Sequence, residues 1–515
     1  MMNELLLRVE EEQQPLSFPS SLLIYLYVGH FLARWGARMW EFSVGLYMIN
    51  VWPDSLLLAA VYGAVESAST ALFGPLLGQW VDKLSYIQVL HLWLLSQNLS
   101  FMVAGGGVLA ILVYTGSMSL NFTAFISLVV LINIFGAVGV LSTLAGTILI
   151  EREWVVVISE GQSPDVLTKM NSIIRRIDLV CKLFAPVVSG FIISFVSLTA
   201  SALTMALWNV LSVLLQYWLL ISVYKGMPAL KEISERKVSR SLVREVDEVD
   251  FEQPESSTRG TIIDSFSNTP YIRAWKVYIQ QEVALPGLAL ALLYFTVLRL
   301  STFLITKGSL FFVLVSFLTY KQNGANSFGS LMTATLEWEG IPTYVIGLAR
   351  GISATVGIAA TFLYPELQSH ISTLRTGLWS IWSQWTCLLL CVASVFISNK
   401  TVAAYMLMSG VAASRLGLWM FDLSVIQQMQ DHVAEMDRCV VGGVQNSLQS
   451  ILDLMTYAMG IIISNPQDFW KLIMISFTLV TLAAVVYSLH IYRVRKHLIH
   501  FEKLLVLVEL STRSS

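Results

Sequence analysis

Residues 78–83 read Gly-Gln-Trp-Val-Asp-Lys and lie between two long apolar stretches of the chain. Gly78 permits the close approach of a neighbouring helix, because it has no side chain. Asp82 can cap the end of a helix or pair with a basic residue from a distant part of the sequence. What this segment means for the fold depends on how many apolar stretches surround it.

The composition indicates a membrane protein. Of 515 residues, 55% are hydrophobic and only 13% are charged, and the mean hydropathy is +0.67. Soluble globular proteins carry about 25% charged residues. The net charge of −2 gives no reason to expect a nucleic acid partner. We therefore expect an all-α polytopic protein whose surroundings are the lipid bilayer.

Twelve apolar stretches have the length of a membrane span, which needs about 20 residues. They lie near 21–49, 55–80, 88–114, 122–150, 172–197 and 200–224, and then near 283–336, 341–364, 373–398, 402–428, 440–463 and 468–492. The predicted domains are a tail (1–20), a six-helix bundle (21–224), a linker (225–282), a second six-helix bundle (283–495) and a second tail (496–515).

Basic residues set the expected orientation, because Lys and Arg collect on the cytoplasmic side of a membrane. Seven of them lie between Lys225 and Arg259 in the linker, and others follow the even-numbered spans. We expect both termini and the linker to be cytoplasmic, in a plasma membrane or a vacuolar membrane. The charged run from Lys231 to Arg259 is typical of a mobile, solvated segment, and a regulatory site within it stays open.

Two six-helix bundles joined by a polar cytoplasmic linker are the architecture of the major facilitator superfamily. The segment Gly78–Lys83 matches that superfamily's G-x-x-x-D-[RK] pattern and occupies the expected loop between the second and third spans. We therefore predict a major-facilitator-like fold.

Longer strings resemble the ferroportin family, solute carrier family 40, and in particular its plant-type members. The resemblance covers about residues 20–495, and the strings that carry it are 34–42, 55–63, 78–83, 96–98, 170–178, 417–423 and 443–447. It implies a secondary transporter that exports divalent transition-metal ions from the cytosol by alternating access. Iron(II) is the leading substrate, and cobalt(II) and nickel(II) are alternatives. The resemblance implies no cofactor, since the metal is cargo.

Polar residues inside the first bundle are the candidate metal ligands, because ionisable groups within a membrane mark a pathway or an ion pair. Glu41 and Glu66 lie at depths that differ by about 5 Å, so the two carboxylates could share a cation. Alternatively, each pairs with Arg34 or Arg38. The further candidates are Gln97, Asn98, Asp178, Asn209 and Gln216. Amides at such positions also commonly form interhelical hydrogen bonds.

The chain departs from the vertebrate pattern of the family at its metal sites. Ala37 replaces an acid, Glu41 replaces a His, and Ala484 replaces a His of the last helix. Gly329 and Ser330 replace an adjacent Asp and Cys, which in vertebrates belong to a surface that binds a peptide hormone. We therefore expect no peptide-hormone binding, and we expect the resemblance to supply only part of the ligand set.

A second group of residues matches positions at which the family holds its two halves together on the cytoplasmic side. Acid–base pairs between rigid bundles can stabilise one of two arrangements. The predicted gate residues are Asp82, Glu153, Asn171, Arg175 and Arg438. The alternative is that these are ordinary charged loop residues of a cytoplasmic surface.

Residues 299–326 do not fit the pattern of twelve spans. Without them, residues 289–298 would continue directly into residues 327–334 as one helix. Read as a thirteenth span, they would place Arg375, Arg438 and the second tail outside, against the charge rule. We interpret them as an insertion in the seventh helix, of the kind that an unspliced intron would encode.

Two other functions remain open at this stage. An exporter of small organic solutes would also use aromatic-rich helices with few acids. A non-transporting membrane protein is the second alternative, because of the insertion. An enzyme is not expected, since the sequence shows no Gly-rich phosphate loop, nucleophile elbow or H-E-x-x-H motif.

Overall fold

The computed structural model describes residues 20–51, 57–117, 122–250, 269–295, 343–462 and 469–495, and these residues are helical with short connections. The N-terminal bundle consists of six long helices: α1 (Ser20–Val51), α2 (Leu57–Lys83), α3 (Tyr86–Ser117), α4 (Phe122–Ser159), α5 (Pro164–Phe195) and α6 (Leu198–Gly226). Within α4, residues Ile148–Trp154 form a π-helical segment, a feature that is frequent at functional sites.

The linker and the C-terminal bundle supply the remaining helices. They are α7 (Pro228–Asp250), α8 (Pro270–Gln280), α9 (Ala284–Leu292), α10 (Thr343–Ile371), α11 (Thr373–Val395), α12 (Lys400–His432), α13 (Arg438–Ile462) and α14 (Phe469–Arg495). The described part of the predicted seventh span comprises α9 and a 3₁₀ turn, Leu293–Phe295. The predicted insertion, 299–326, lies outside the described residues, as do Gly329 and Ser330.

Six helices of the described chain are long and apolar enough to cross a membrane. A seventh is added if α8 and the segment Ala284–Phe295, which meet at 103°, count as one broken span. Polar residues inside α1 and α5 lower the apolarity of those two helices, and both helices carry predicted site residues. Helices that are polar within a bundle therefore identify the functional part of this fold.

The side chains of each bundle sort into a packed interior and a lipid-facing exterior. Trp40 and Tyr47 are almost fully buried in the first bundle, and Phe421 and Tyr487 are buried in the second. On α6, by contrast, Leu211, Leu214 and Trp218 are exposed. Exposed apolar side chains along one side of a helix suit contact with lipid chains.

The two bundles meet most closely where α2 crosses α13, and glycines make this contact possible. A Cβ atom on Gly78 would lie 2.5 Å from the carbonyl oxygen of Cys439, and one on Gly74 would lie 2.9 Å from that of Gly443. Small residues let helix backbones approach in this way in membranes. This is the close approach that the sequence predicted for Gly78.

The start of the linker differs from the predicted mobile, solvated segment. Residues Pro228–Asp250 form the helix α7, which begins at a proline, a favoured first helical residue. Leu230, Ile233 and Lys237 are spaced three and four residues apart and are buried against the N-terminal bundle. We call this end of the molecule the linker side.

Candidate functional site

Asp178 is the centre of a buried ion-pair network in the N-terminal bundle. One of its carboxylate oxygens lies 2.9 Å from Arg38 Nη2, and the other lies 2.8 Å from Lys182 Nζ. Arg34 and Arg175 approach the same carboxylate at 3.9 and 3.8 Å. Four cations thus surround the Asp178 carboxylate. These ion pairs occupy both of its oxygens and explain why a charged group is tolerated inside the bundle.

Glu41 and Glu66 lie near each other, on α1 and α2. The Glu41 carboxylate forms an ion pair with Arg38, one turn earlier on the same helix. Tyr62 lies close to Glu66, and the charges of both Glu41 and Arg38 act on Glu66. Trp40 Nε1 donates to the Tyr62 hydroxyl at 2.9 Å. Two acids from different helices thus lie near one cation, Arg38.

The candidate amides are buried in the same bundle, and Gln97 lies at a different level from Glu41. Gln97 accepts a hydrogen bond from Trp93 Nε1 at 2.5 Å and lines a small cavity beside Arg34. Since Arg34 precedes Glu41 by seven residues, Gln97 lies about 10 Å along α1 from Glu41. The remaining amides are all buried, namely Asn98, Asn209 and Gln216.

Two of these amides have identifiable surroundings. Asn98 donates to the Leu94 carbonyl at 2.7 Å within its own helix, and Asn209 Oδ1 faces α1 at Gly36. Across the described residues, no three His, Cys, Asp or Glu side chains are grouped closely enough to hold a metal ion. The predicted ligand set stays a prediction, and any site built on it uses few protein ligands.

The bundles are joined on the linker side by a seam of polar contacts. Arg175 of α5 lies 2.8 Å from Asp422 of α12, and both side chains are largely buried. One turn closer to the linker, Asn171 donates to Gln430 at 2.5 Å. The Gln430 amide also donates to the carbonyl oxygen of Glu151 at 2.6 Å, so it ties α12 to two helices of the other bundle.

The seam continues along α5 in both directions. Gln427 donates to the Thr168 hydroxyl at 2.8 Å, and Arg176 donates to the Thr361 hydroxyl at 3.1 Å. The Arg176 guanidinium also lies over the ring of Phe362, 3.3 Å from its centroid. Three turns of α5 are thereby held against α10 and α12, which closes the space between the bundles on the linker side.

The linker helix adds a cation to this seam. Lys237 Nζ lies 3.0 Å from Glu153 and 3.7 Å from Asp82, and its side chain is only 2% exposed. Tyr86 donates to the same Glu153 carboxylate at 2.7 Å, and the Cys439 thiol of α13 donates to it at 3.2 Å. Glu153 therefore contacts residues of both bundles and of the linker.

Arg240 joins the linker to the C-terminal bundle, because its guanidinium lies 3.0 Å from the Glu435 carboxylate. Of the predicted gate residues, Asn171, Arg175 and Glu153 contact the opposite bundle directly. Arg438 donates from Nε to the Val433 carbonyl at 3.3 Å. The gate assignment as a whole stays a prediction.

Several residues of the seam were not singled out from the sequence. Asp422 is an acid in an apolar stretch, and that signal alone could have identified it. Gln430 carries no charge, and Lys237 is one of nine basic residues in the linker, so only the fold distinguishes them.

Comparison with known proteins agrees with these features. The family model described as Ferroportin1 (FPN1) matches residues 20–318 and 313–480. Solute carrier family 40 member 1 of Arabidopsis thaliana is 57% identical over 498 residues, which are 94% of this chain and 90% of that protein. Solute carrier family 40 member 1 of Oryza sativa subsp. japonica is 58% identical over 489 residues, 94% of each chain.

Solved structures show the same fold at low sequence identity. A bacterial homologue of the iron transporter ferroportin, in an outward-facing state, has a TM-score of 0.72 at 20% identity and covers 91% of this chain and 99% of its own. Its inward-facing structure has a TM-score of 0.57, with coverages of 91% and 98%. The major facilitator proton:xylose symporter XylE has a TM-score of 0.60 at 12% identity, with coverages of 92% and 95%.

The predicted major-facilitator-like fold, with its two bundles and polytopic membrane topology, is therefore confirmed. The extent of the family match and the identity to both plant proteins settle the assignment. The chain belongs to the ferroportin family, solute carrier family 40, as one of its plant-type members.

Proposed function

We propose that this protein is a secondary transporter that exports divalent transition-metal ions from the cytosol by alternating access, with iron(II) as the main substrate and cobalt(II) and nickel(II) as further substrates. Family membership over nearly the whole chain is the observation that carries the proposal. An outward-facing crystal structure of the bacterial homologue, with soaked iron, has a TM-score of 0.70 to this chain and supports the choice of metal.

The acids near Arg38 suggest how a metal ion is accepted. Glu41 and Glu66 come from different helices, and Arg38 is shared between Glu41 and Asp178. A divalent cation that arrives between the two glutamates competes with Arg38 for Glu41. The displaced guanidinium keeps Asp178 as its partner, so metal binding does not leave a buried charge unpaired.

The seam on the linker side supports alternating access. The fold agrees better with the outward-facing bacterial structure than with the inward-facing one, at TM-scores of 0.72 and 0.57. Entry of a cytosolic metal requires that contacts such as Arg175–Asp422 and Asn171–Gln430 separate. When two rigid bundles rotate relative to each other, the polar contacts on one side break together and those on the other side form. A transporter moves between its two states in this way.

A cellular export assay tests the proposal. Two forms are expressed in yeast that lack their own detoxification route: the full chain and a variant without residues 299–326. We expect the shortened form to lower cytosolic iron and to improve growth on excess iron(II), cobalt(II) or nickel(II). Membrane levels of both forms are measured in parallel, so that loss of protein is distinguished from loss of transport.

The full chain tests the effect of the insertion within the same assay. Equal export by both forms would show that residues 299–326 are compatible with transport. If neither form changes cytosolic metal at normal membrane level, while either one expels organic dyes, metal export is excluded and export of organic solutes is favoured.

A further inference from the structure

Arg152 is a buried cation with unusually few partners. The residue is 8% exposed, and its Nη1 lies 4.0 Å from the thioether sulfur of Met429, a weak acceptor. Its Nε atom is buried and makes no hydrogen bond to any residue that the structure describes. A buried charge without an anion is costly, so such a site normally contains a compensating group.

The carboxylates whose charges reach Arg152 are engaged elsewhere. Glu151 is paired with Arg34 at 2.8 Å, and Asp422 is paired with Arg175 at 2.8 Å. Within the described ranges, neither acid forms an ion pair with Arg152. Neither of these two acids is therefore left to pair with Arg152.

A small cavity lies beside Arg152, at the seam between the bundles. Arg152 of the N-terminal bundle and Arg438 of the C-terminal bundle both line it. The other walls are largely apolar, formed by Met429, Val433 and Val441. The enclosed space accommodates a particle about as large as one water molecule or one halide ion.

The polar groups around the cavity leave room for a ligand. The Gln430 amide, which also lines it, is already bonded to Asn171 and to the Glu151 carbonyl. Arg438 uses Nε to bind the Val433 carbonyl, and among the described residues its terminal nitrogens have no acceptor. Two arginines thus line one small space, and none of the described residues that line it is an acid.

We propose that this cavity binds a small monatomic anion, chloride being the abundant one in cells, between Arg152 and Arg438. An anion satisfies both guanidinium groups and offsets their mutual repulsion, whereas a water molecule supplies only a dipole. The apolar walls lower the local dielectric constant and strengthen the attraction.

The anion is coupled to the conformation of the protein, because one arginine comes from each bundle. The site is complete only while the bundles are closed on the linker side. A ligand that binds one state better than the other shifts the population toward that state. Chloride therefore stabilises the arrangement in which the linker side is closed, whatever the transported substrate is.

Thermal unfolding of the purified full-length protein tests the site without a transport assay. Tm is measured in sodium chloride and in sodium gluconate at equal ionic strength. We expect chloride to raise Tm by about 2 °C or more. The Arg438→Gln variant should lose this difference, because Arg438 is only half-buried and its loss should not prevent folding. Arg236→Gln, which changes an exposed arginine on α7, should keep it.

Bromide provides a second, independent readout. In a crystal of the wild-type protein soaked in bromide, we expect an anomalous peak between Arg152 and Arg438. A water molecule at this position, or an equal Tm in chloride and gluconate, would overturn the proposal. An equal chloride effect in Arg438→Gln would also overturn it, since the anion would then bind elsewhere.

Discussion

Glu41 is the single residue on which metal export should depend most strongly. The Glu41→Gln substitution keeps the volume and one ligand oxygen but removes the charge. We expect iron export to fall about tenfold or more, since about 1.4 kcal/mol of lost affinity is a factor of ten. Protein level should stay normal, because Arg38 retains Asp178 as a partner. Export per molecule is measured in the variant without residues 299–326.

The control is Glu366→Gln, which removes an exposed acid whose carboxylate lies 3.2 Å from His370 on the same helix. This variant should export metal normally. Normal export by Glu41→Gln would remove Glu41 from the metal site. A lower protein level with unchanged export per molecule would instead assign Glu41 to the ion pair with Arg38.

Residue identities were easier to predict than residue partners. Asp178 could be selected from the sequence because charges inside apolar stretches are exceptional, and Arg175 because it matches a position of the family. Their partners could not, since Asp422 lies more than 240 positions away and contact depends on how the bundles pack. Arg34 and Arg38 were both proposed as partners of Glu41, and only the fold shows that it is Arg38.

Among the helices, α5 and α12 should hold the linker side closed through Arg175 and Asp422. Removal of one partner leaves the other buried and unpaired, which costs about 3–5 kcal/mol. We expect Arg175→Gln and Asp422→Asn each to lower Tm, and the double variant to lower it by less than their sum. A coupling of about 0.5–3 kcal/mol is typical of residues in contact. Strictly additive changes would show that the two residues do not interact.

The helix α7 should be anchored by Lys237. Burial by itself lowers the pKa of this ammonium group, but the adjacent carboxylates of Glu153 and Asp82 raise it above its ordinary value. A raised pKa means that the ion pairs contribute fully below the unfolded-state pKa of about 10.4 and weaken only in stronger alkali. Lys237→Gln should therefore lower the free energy of unfolding by about 3–5 kcal/mol, and by the same amount from about pH 6 to 9.

The matched control for this helix is Arg236→Gln. Arg236 is the preceding residue, but it is exposed and contacts Glu232 on its own helix at 2.7 Å. Exposed pairs of this kind contribute about 0–1 kcal/mol. Equal destabilisation by the two variants would show that α7 is not held through Lys237.

The spans were predictable from the sequence, because long apolar stretches leave few alternatives in a membrane. The helix α7 was not predicted, because its many charged residues are typical of a solvated segment. Four of its described residues are buried on one face, namely Leu230, Ile233, Ser234 and Lys237, and one of them is a lysine. A lysine in a buried position removes the apolar periodicity that identifies an amphipathic helix.

At the scale of the whole molecule, twelve spans predict that both termini and the linker share the cytoplasmic side. Short epitope tags before residue 1, after residue 515 and between residues 255 and 256 should all become accessible only after the cells are permeabilised. Selective antibody labelling of intact and permeabilised cells measures this. A C-terminal tag that is accessible in intact cells, with an inaccessible N-terminal tag, would show that residues 299–326 form a thirteenth span.

The crossing of α2 and α13 has a mechanical consequence. At Gly74, Gly78 and Gly443 the two backbones approach directly. At the first of these positions the contact also includes the small side chain of Ser447. On such a surface, one bundle can move relative to the other without separating large interdigitated side chains. In the proposed alternating-access mechanism, we therefore expect this crossing to resist movement of the bundles less than the ion pair Arg175–Asp422 does.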